Sequence, residues 1–217
     1  MNADVVGGIT PVVLVTLSSG EKILSEHGLM MYKEKDVQVH RRTLKSLGVS
    51  TLRILSVESK EGSEEEMFLA EYEGPGHVTF SRDKGGEVRI VQLQPGQTMR
   101  LRSGHVICFD ETVKYNPVVL ARYPDPADPK KTMYIVADEL TGPGTVVFQS
   151  NGNIVTFNLN QGEGLRTSTD ALLSAEPSVS LKVNWIRTTQ SATFTGNINF
   201  PVLDVFGPGQ VLLHSGV

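Results

Sequence analysis

The sequence predicts an all-β fold, a sandwich or barrel built from an internal threefold repeat. Three observations support this prediction: short runs with a period of two, a Gly-Pro-Gly tripeptide that occurs three times, and a Leu-x-x-Gly motif that also occurs three times. Alternation is typical of half-buried strands, and markers at fixed spacing indicate repeated structural units. The chain of 217 residues is long enough for one large domain, so we predict a single domain over residues 1–217.

The strands are predicted from residue type as well as from period. Five runs are rich in Val, Ile, Thr and Phe and are bounded by Gly, Pro, Asn or Asp: EVRIVQL, GTVVFQS, NIVTFNL, VSLKVNW and QVLLHS. Only residues 43–55, TLKSLGVSTLRIL, favour a helical turn, and Gly48 interrupts that segment. Many short strands with almost no helix favour a sandwich or a barrel.

The first repeated marker is Gly-Pro-Gly. Composition alone would give about 0.1 copies, whereas three are present: Gly74-Pro75-Gly76, Gly142-Pro143-Gly144 and Gly207-Pro208-Gly209. Each copy predicts a type II turn, in which proline presets φ and the following glycine supplies the positive φ. An acid precedes each first glycine by three residues: Glu71, Glu139 and Asp204.

The second repeated marker is Leu-x-x-Gly followed by an acid or an amide. Its glycines are Gly20, Gly96 and Gly162. A valine lies 17 residues after each of them: Val37, Val113 and Val179. An acid lies 14 residues after each of them: Glu34, Asp110 and Glu176. Because the offsets are constant in three copies, we predict three equivalent structural units.

The order of the two markers predicts how the units close. Copy A, about 68–118, and copy B, about 133–186, each contain the Gly-Pro-Gly half followed by the Leu-x-x-Gly half. Copy C is split, with one half at about 200–217 and the other at about 10–40. We therefore expect the last strand to lie beside the first and to close a pseudo-threefold ring, since this would remove an exposed sheet edge.

Three segments do not repeat and are predicted to be connectors: 41–67, 122–132 and 187–199. The second contains RYPDPADPKK, whose prolines exclude a central strand. The first combines a basic stretch with an acidic one. It is interpreted either as a solvated linker with a short helix or as a docking segment for a charged partner.

Composition and charge argue against several classes of protein. The chain is 39% apolar and 20% charged, as soluble globular proteins are. A net charge of −4 and a pI near 5.7 argue against binding to a polyanion. No run approaches the roughly 20 apolar residues of a membrane-spanning helix, and MNADVVGG lacks the basic start of a signal peptide. The single cysteine, Cys108, fits a reducing compartment, so a cytoplasmic location is expected.

Candidate metal ligands are few. The histidines share no offset in the repeats: His27, His40, His77, His105 and His214. The candidates for a metal site are Glu34, Asp110 and Glu176, because three equivalent carboxylates near a pseudo-axis could bind a hard cation. The alternative is that each acid accepts backbone N–H bonds in a repeated turn. No resident cofactor is predicted.

Nucleophilic catalysis and nucleic-acid binding have little support. Cys108 lies among apolar strand neighbours, where cysteines are usually inert, and His105 lies on the opposite face of the same strand. No nucleophile elbow or phosphate-binding loop is present. Only 6% of residues are aromatic, too few for an obvious stacking platform. Five basic residues cluster in copy A alone: Arg82, Lys84, Arg89, Arg100 and Arg102.

Several blocks of the sequence resemble the altered inheritance of mitochondria 24 family. These blocks are FLA at 68–70, EGPGHVTFSRD, GEVRIVQLQPGQ, VICFDETVKY, SGEKILSEHGLMMYKEKDVQV and FGPGQVLLHS. The resemblance covers nearly the whole chain and implies a double-stranded β-helix, similar to the tryptophan RNA-binding attenuation protein superfamily. It implies no agreed activity and no catalytic residues. The mitochondrial members are associated with inner-membrane organisation, which suggests a scaffolding role.

We therefore expect a non-enzymatic scaffold or interaction module that associates with copies of itself or with another protein. One alternative is a small-ligand or metal-binding β-barrel that could be an enzyme. A deep pocket with convergent polar groups would favour it. The second alternative is an RNA-binding protein, which a salt-dependent complex with RNA would favour.

Overall fold

The computed structural model describes residues 1–43, 68–125, 128, 130–188 and 198–216. Within these residues the chain forms nineteen strands and no helix, so the predicted all-β class is confirmed. Residues 44–55 of the segment expected to carry a helical turn lie outside the described residues, as do most of the connectors 41–67 and 187–199.

The strands fall into three successive units of six, preceded by one additional strand, β1 (Asn2–Val6). Unit 1 contains β2 (Val12–Leu17), β3 (Lys22–Glu26), β4 (Met30–Lys33), β5 (Gln38–Thr43), β6 (Phe68–Glu73) and β7 (Gly76–Ser81). Unit 2 contains β8 (Val88–Leu93), β9 (Thr98–Arg102), β10 (Val106–Asp110), β11 (Lys114–Pro124), β12 (Thr132–Thr141) and β13 (Gly144–Gln149). Unit 3 contains β14 (Ile154–Leu159), β15 (Gly164–Ser168), β16 (Leu172–Ala175), β17 (Ser180–Thr188), β18 (Ile198–Phe206) and β19 (Gly209–His214).

Each unit contains two antiparallel groups of three strands. In unit 1, β7 lies between β2 and β4, and β6 lies between β3 and β5. In unit 2, β13 lies between β8 and β10, and β12 lies between β9 and β11. Unit 3 has the same order, with β19 between β14 and β16 and β18 between β15 and β17. The three units therefore share one topology.

Neighbouring units are joined edge to edge, through pairings that we call joints. The second strand of unit 1, β3, pairs with the third strand of unit 2, β10, so that Ser25 faces Cys108. The second strand of unit 2, β9, pairs with the third strand of unit 3, β16, so that Leu101 faces Ser174. Because of the joints, the strands form two six-stranded sheets with a smaller sheet at each end of the row.

The predicted ring closure is wrong. The last strand, β19, pairs with β14 and β16, whereas β1 pairs with β2. The end sheets β1-β2-β7-β4 and β15-β18-β17 are separate, so no closed barrel forms among the described residues. The two halves assigned to the split copy C, about 10–40 and about 200–217, instead lie in units 1 and 3.

The close approach of the two repeated markers explains this difference. A Cβ atom on Gly142 would lie 2.5 Å from the carbonyl oxygen of Gln94 and 2.7 Å from Cβ of Leu93. The first glycine of each other copy likewise packs on the leucine of the preceding Leu-x-x-Gly motif, Gly74 on Leu17 and Gly207 on Leu159. Because each Gly-Pro-Gly segment packs on the motif that precedes it, no unit is divided between the two ends of the chain.

The Gly-Pro-Gly segments are bends rather than the predicted type II turns. Their Gly-Pro peptide bonds are cis. The backbone N–H of Gly142 donates to the carbonyl of Gln97, and that of Thr145 donates to the Asp110 carboxylate. The N–H groups on both sides of this segment therefore bond to other parts of the chain. The second glycines have positive φ, with 144° at Gly144.

The connector predicted at 122–132 is partly strand, since β11 extends to Pro124 and β12 begins at Thr132. β11 lies at the edge of its sheet, the position in a sheet where prolines are tolerated.

The hydrophobic core continues across both joints. In the central cluster, Phe109 and Phe148 of unit 2 pack with Leu24 of unit 1 and Leu173 of unit 3. The cluster of unit 1 includes Ile107 and Cys108 from unit 2, and the cluster of unit 3 includes Ile135 from unit 2. Each unit thus depends on its neighbour to bury its apolar side chains.

Candidate functional site

The three acids weighed as metal ligands hold the Gly-Pro-Gly segments. Each carboxylate accepts the backbone N–H of the residue after the second glycine. The three N···O pairs are His77 N–Glu34 Oε2 at 3.0 Å, Thr145 N–Asp110 Oδ2 at 2.7 Å and Gln210 N–Glu176 Oε2 at 2.9 Å. In the part of the chain that the structure describes, no three His, Cys, Asp or Glu side chains are placed to hold a metal ion. The geometry supports the repeated-turn interpretation.

The acid or amide after each Leu-x-x-Gly motif has a similar role. The side chains of Glu21, Gln97 and Glu163 each accept the N–H of the residue three positions earlier, at 2.8 to 3.0 Å. The glycines of this motif, Gly20, Gly96 and Gly162, all have positive φ. Both repeated markers therefore satisfy backbone groups at turns, which explains why they recur together.

The second set of repeated acids forms ion pairs. Glu139 Oε2 lies 2.7 Å from Arg100 Nε, and Asp204 binds Arg166 through two N···O contacts of 2.5 and 3.0 Å. Glu71 pairs with Arg42 at 3.0 Å. The pairing with Arg166 lowers the pKa of Asp204. These acids lie in cross-strand pairs and not in an open carboxylate site.

Nearby acids and carbonyls compensate most of the basic cluster of copy A. Arg82 lies 3.7 Å from Glu26, Arg89 lies 2.9 Å from Glu87, and Arg100 pairs with Glu139 as described above. Arg102 donates to the Thr169 carbonyl at 2.8 Å and lies 3.8 Å from Asp170. Paired arginines on a sheet are a weak basis for binding phosphate groups, because their charge is already neutralised.

One histidine of unit 2 lies beside one histidine of unit 3. The ring centroids of His105 and His214 lie 5.2 Å apart, and Nδ1 of His105 donates to the Gln149 carbonyl at 2.8 Å. Burial lowers the pKa of His214 and lowers that of His105 to about 4. Burial also raises the pKa of the Cys108 thiol. These groups are therefore neutral at pH 7 and have no arrangement that activates a nucleophile.

One buried polar cluster was not predicted. Asp138 on β12 is 1% exposed and accepts hydrogen bonds from the Tyr115 hydroxyl at 2.9 Å and the Ser103 hydroxyl at 3.4 Å. The backbone N–H of Gly104 favours the ionised form of both Asp138 and Glu26, but burial has the larger effect on the pKa of each. Burial raises the pKa of Asp138 to about 6 and that of Glu26 to about 7.

A comparison of the units would have singled out Asp138, although not the residues that surround it. Asp138 precedes Gly142 by four residues, and the equivalent residues in units 1 and 3 are Ala70 and Leu203. All three positions are buried, so an acid stands where the other units have core residues. The cluster lies beside the joint between units 1 and 2, because Glu26 ends β3.

The Asp138→Asn variant is expected to gain stability over the wild type as pH rises from about 4 to about 7. The raised pKa means that the folded state holds this proton more tightly than the unfolded chain. The resulting stabilisation is complete below the ordinary pKa and is lost as pH rises through about 6. Asparagine does not ionise, so the variant-minus-wild-type difference in the free energy of unfolding should grow by about 2 kcal/mol. Urea unfolding across this pH range measures it.

The Asp83→Asn variant is the control, because Asp83 is exposed. The pH dependence of its difference from wild type gives the effect of removing a carboxylate at an exposed position, and this effect is subtracted. The opposing contribution of His105, which is lost as pH falls, is common to all three proteins and cancels in the differences. An Asp138→Asn difference that did not change with pH would contradict the proposed ionisation.

A small cavity lies at β11, β16 and β17. Its volume is about 130 Å³, and its lining includes Val118, Leu120 and Leu181 together with Arg100 and Glu176. Both charged side chains already hold protein groups, Glu139 and the N–H of Gln210. The volume is well below the roughly 300 Å³ at which small-molecule pockets begin. The cavity therefore gives little support to a ligand-binding or enzymatic role.

The surface of β4 is apolar and exposed. Its residues Met30, Met31 and Tyr32 are 41%, 63% and 50% exposed. The equivalent residues of unit 2 are at most 1% exposed, and those of unit 3 at most 7%, because the joints cover them: Val106, Ile107 and Cys108, then Leu172, Leu173 and Ser174. The surface of β4 is thus exposed to solvent, whereas the equivalent strands of units 2 and 3, β10 and β16, are buried.

These features define the class of the protein: an all-β chain of three joined units, in which the repeated polar residues support the backbone. The chain belongs to the family described as Mitochondrial biogenesis AIM24, which matches residues 3–216. The resemblance seen in the sequence blocks is therefore confirmed.

A solved structure supports the same fold. A Streptococcus pyogenes protein, known from an X-ray crystal structure, superposes with a TM-score of 0.68 at 17% identity, covering 99% of this chain and 93% of that one. No curated protein matches the chain. Among the described residues, no helix is long and apolar enough to cross a membrane.

Proposed function

We propose that the protein is a non-enzymatic interaction module that associates with copies of itself. The observation that carries the proposal is the exposure of Met30, Met31 and Tyr32 on β4, where both other units bury the equivalent residues in a joint. An exposed apolar edge strand readily pairs with another strand. Its repeated burial inside the chain indicates that this surface is built for pairing.

The remaining polar groups support a structural role. The acids that repeat in the sequence bond to backbone N–H groups or to arginines, as at Asp110 and Glu139. The buried thiol of Cys108 has a raised pKa. The description of the family refers to mitochondrial biogenesis. A self-associating module is compatible with a scaffolding role in such a process. A cytoplasmic location stays a prediction from the sequence.

The Met31→Lys variant is expected to weaken self-association by at least about tenfold, because an ammonium group would replace a thioether in a dry interface. Native mass spectrometry and light scattering of the purified protein, over a range of concentrations, measure the oligomer and its dissociation.

The Met133→Lys variant is the matched control, since Met133 is 38% exposed on β12, away from β4. It should associate like the wild type. A wild-type protein that stays monomeric at every accessible concentration would overturn the proposed function, and so would equal association by the two variants.

A further inference from the structure

We infer that copies of the chain associate head to tail, by pairing β15 of one copy with β4 of the next. The inference rests on the proposed function, since it names the surfaces through which self-association occurs. It is carried by the two joints within the chain, which act as templates for a third.

The two joints pair equivalent strands. In each, the second strand of one unit pairs with the third strand of the following unit, β3 with β10 and β9 with β16. A third joint of this kind requires the second strand of unit 3, β15, and the third strand of unit 1, β4. These strands belong to separate sheets at opposite ends of the row. Each chain therefore carries two complementary strand edges, β15 at one end of the row and β4 at the other.

The templates also define the register. In both joints, the residue five positions after the Leu-x-x-Gly glycine of one unit faces the residue twelve positions after the corresponding glycine of the next. The facing pairs are Ser25 with Cys108 and Leu101 with Ser174. The same offsets from Gly162 and Gly20 place Thr167 of one copy opposite Tyr32 of the next.

The side chains of β15 suit this pairing. Leu165 and Thr167 are half-buried, and the guanidinium of Arg166 is bound by Asp204 at 2.5 and 3.0 Å. In the second joint, Arg100 occupies the equivalent position and is bound by Glu139 through one N···O contact of 2.7 Å. An arginine paired with an acid is thus part of a joint that forms within the chain. In the proposed pairing, Asp204 neutralises the charge of Arg166 where Lys33 of the next copy would approach.

The pairing is heterologous, because β15 and β4 are different surfaces. Every copy that joins through its β4 still presents a β15, so the assembly either closes into a ring or continues as a filament, according to the rotation between copies. An isologous dimer, in which β4 of two copies pair with each other, is the competing arrangement.

Cysteine cross-linking separates these arrangements. Tyr32→Cys and Thr167→Cys chains, carrying different tags, are co-expressed and oxidised. Facing residues on antiparallel strands have Cβ atoms about 4.5–5.5 Å apart, within reach of a disulfide after a small adjustment. We expect disulfide-linked dimers that contain both tags, and none from either chain expressed alone. The natural Cys108 is buried, and the wild-type chain measures its background.

The control replaces Thr167→Cys with Thr156→Cys, an exposed threonine on β14, another edge strand of unit 3. It should not cross-link with Tyr32→Cys. If the copies associate but the Tyr32→Cys and Thr167→Cys pair does not cross-link, or if Tyr32→Cys links to itself, the head-to-tail inference is overturned while the proposed function stands. If light scattering detects only monomers, both are overturned.

Discussion

Replacing Gly142 with alanine is expected to lower the free energy of unfolding by at least about 3 kcal/mol. The added Cβ would lie 2.5 Å from the Gln94 carbonyl oxygen and 2.7 Å from Cβ of Leu93. Most of these atoms belong to the backbone or lie next to it, so relief requires the two segments of unit 2 to separate. For a chain of this size the melting temperature should fall by roughly 10 °C, which scanning calorimetry measures.

The Gly96→Ala variant is the control for this prediction. Gly96 also belongs to a repeated marker and has a φ of 78°, but no heavy atom lies within 4 Å of a Cβ added there. Its replacement should cost only the about 1–2 kcal/mol of a left-handed backbone conformation. Equal losses for the two variants would show that the contact with Leu93 is not what requires glycine at position 142.

Replacing Phe109 with alanine is expected to cost about 3–5 kcal/mol. Phe109 is fully buried and faces Leu24 across the joint between units 1 and 2, while its ring stacks on that of Tyr115 at a centroid distance of 5.7 Å. The cavity would open where the two units meet. Urea unfolding measures the loss, and hydrogen exchange should show faster opening of the β3–β10 pairing.

The Ile90→Ala variant tests whether burial at the joint causes that loss. Ile90 is 43% exposed on β8, so its truncation should cost less than about 1 kcal/mol and leave exchange of β3 and β10 unchanged. A Phe109→Ala protein as stable as Ile90→Ala would contradict the central place of Phe109 in the core.

Much of the fold could be predicted because its repeats have short-range physical causes. The constant offset between Gly96 and Asp110 reflects a carboxylate that must reach the N–H of Thr145. The positions of strands followed from runs rich in Val, Ile, Thr and Phe, as in β8 and β13. The phase of the repeat could not be predicted from the same markers. The two markers alternate along the chain, so a repeat can be defined as beginning with either of them. Only the contact of Gly142 with Leu93 shows that each repeat begins with the Leu-x-x-Gly motif.

The joints and the Asp138 cluster could not be predicted, because they depend on neighbours from different units. Glu26 and Asp138 lie more than a hundred positions apart in the sequence, and nothing in the local sequence around either indicates the other. The exposure of Met31 likewise has meaning only beside the buried Ile107 and Leu173, whose equivalence depends on the correct phase.

The core that crosses both joints makes unfolding a collective event. Unit 1 lacks Ile107 and Cys108 when unit 2 is absent, and unit 3 lacks Ile135. A unit that opened alone would expose the apolar surface of its neighbour to water, so the opening of one unit lowers the barrier to opening the next. We therefore expect the chain to lose its structure in one cooperative transition, although its architecture is that of a row of repeats.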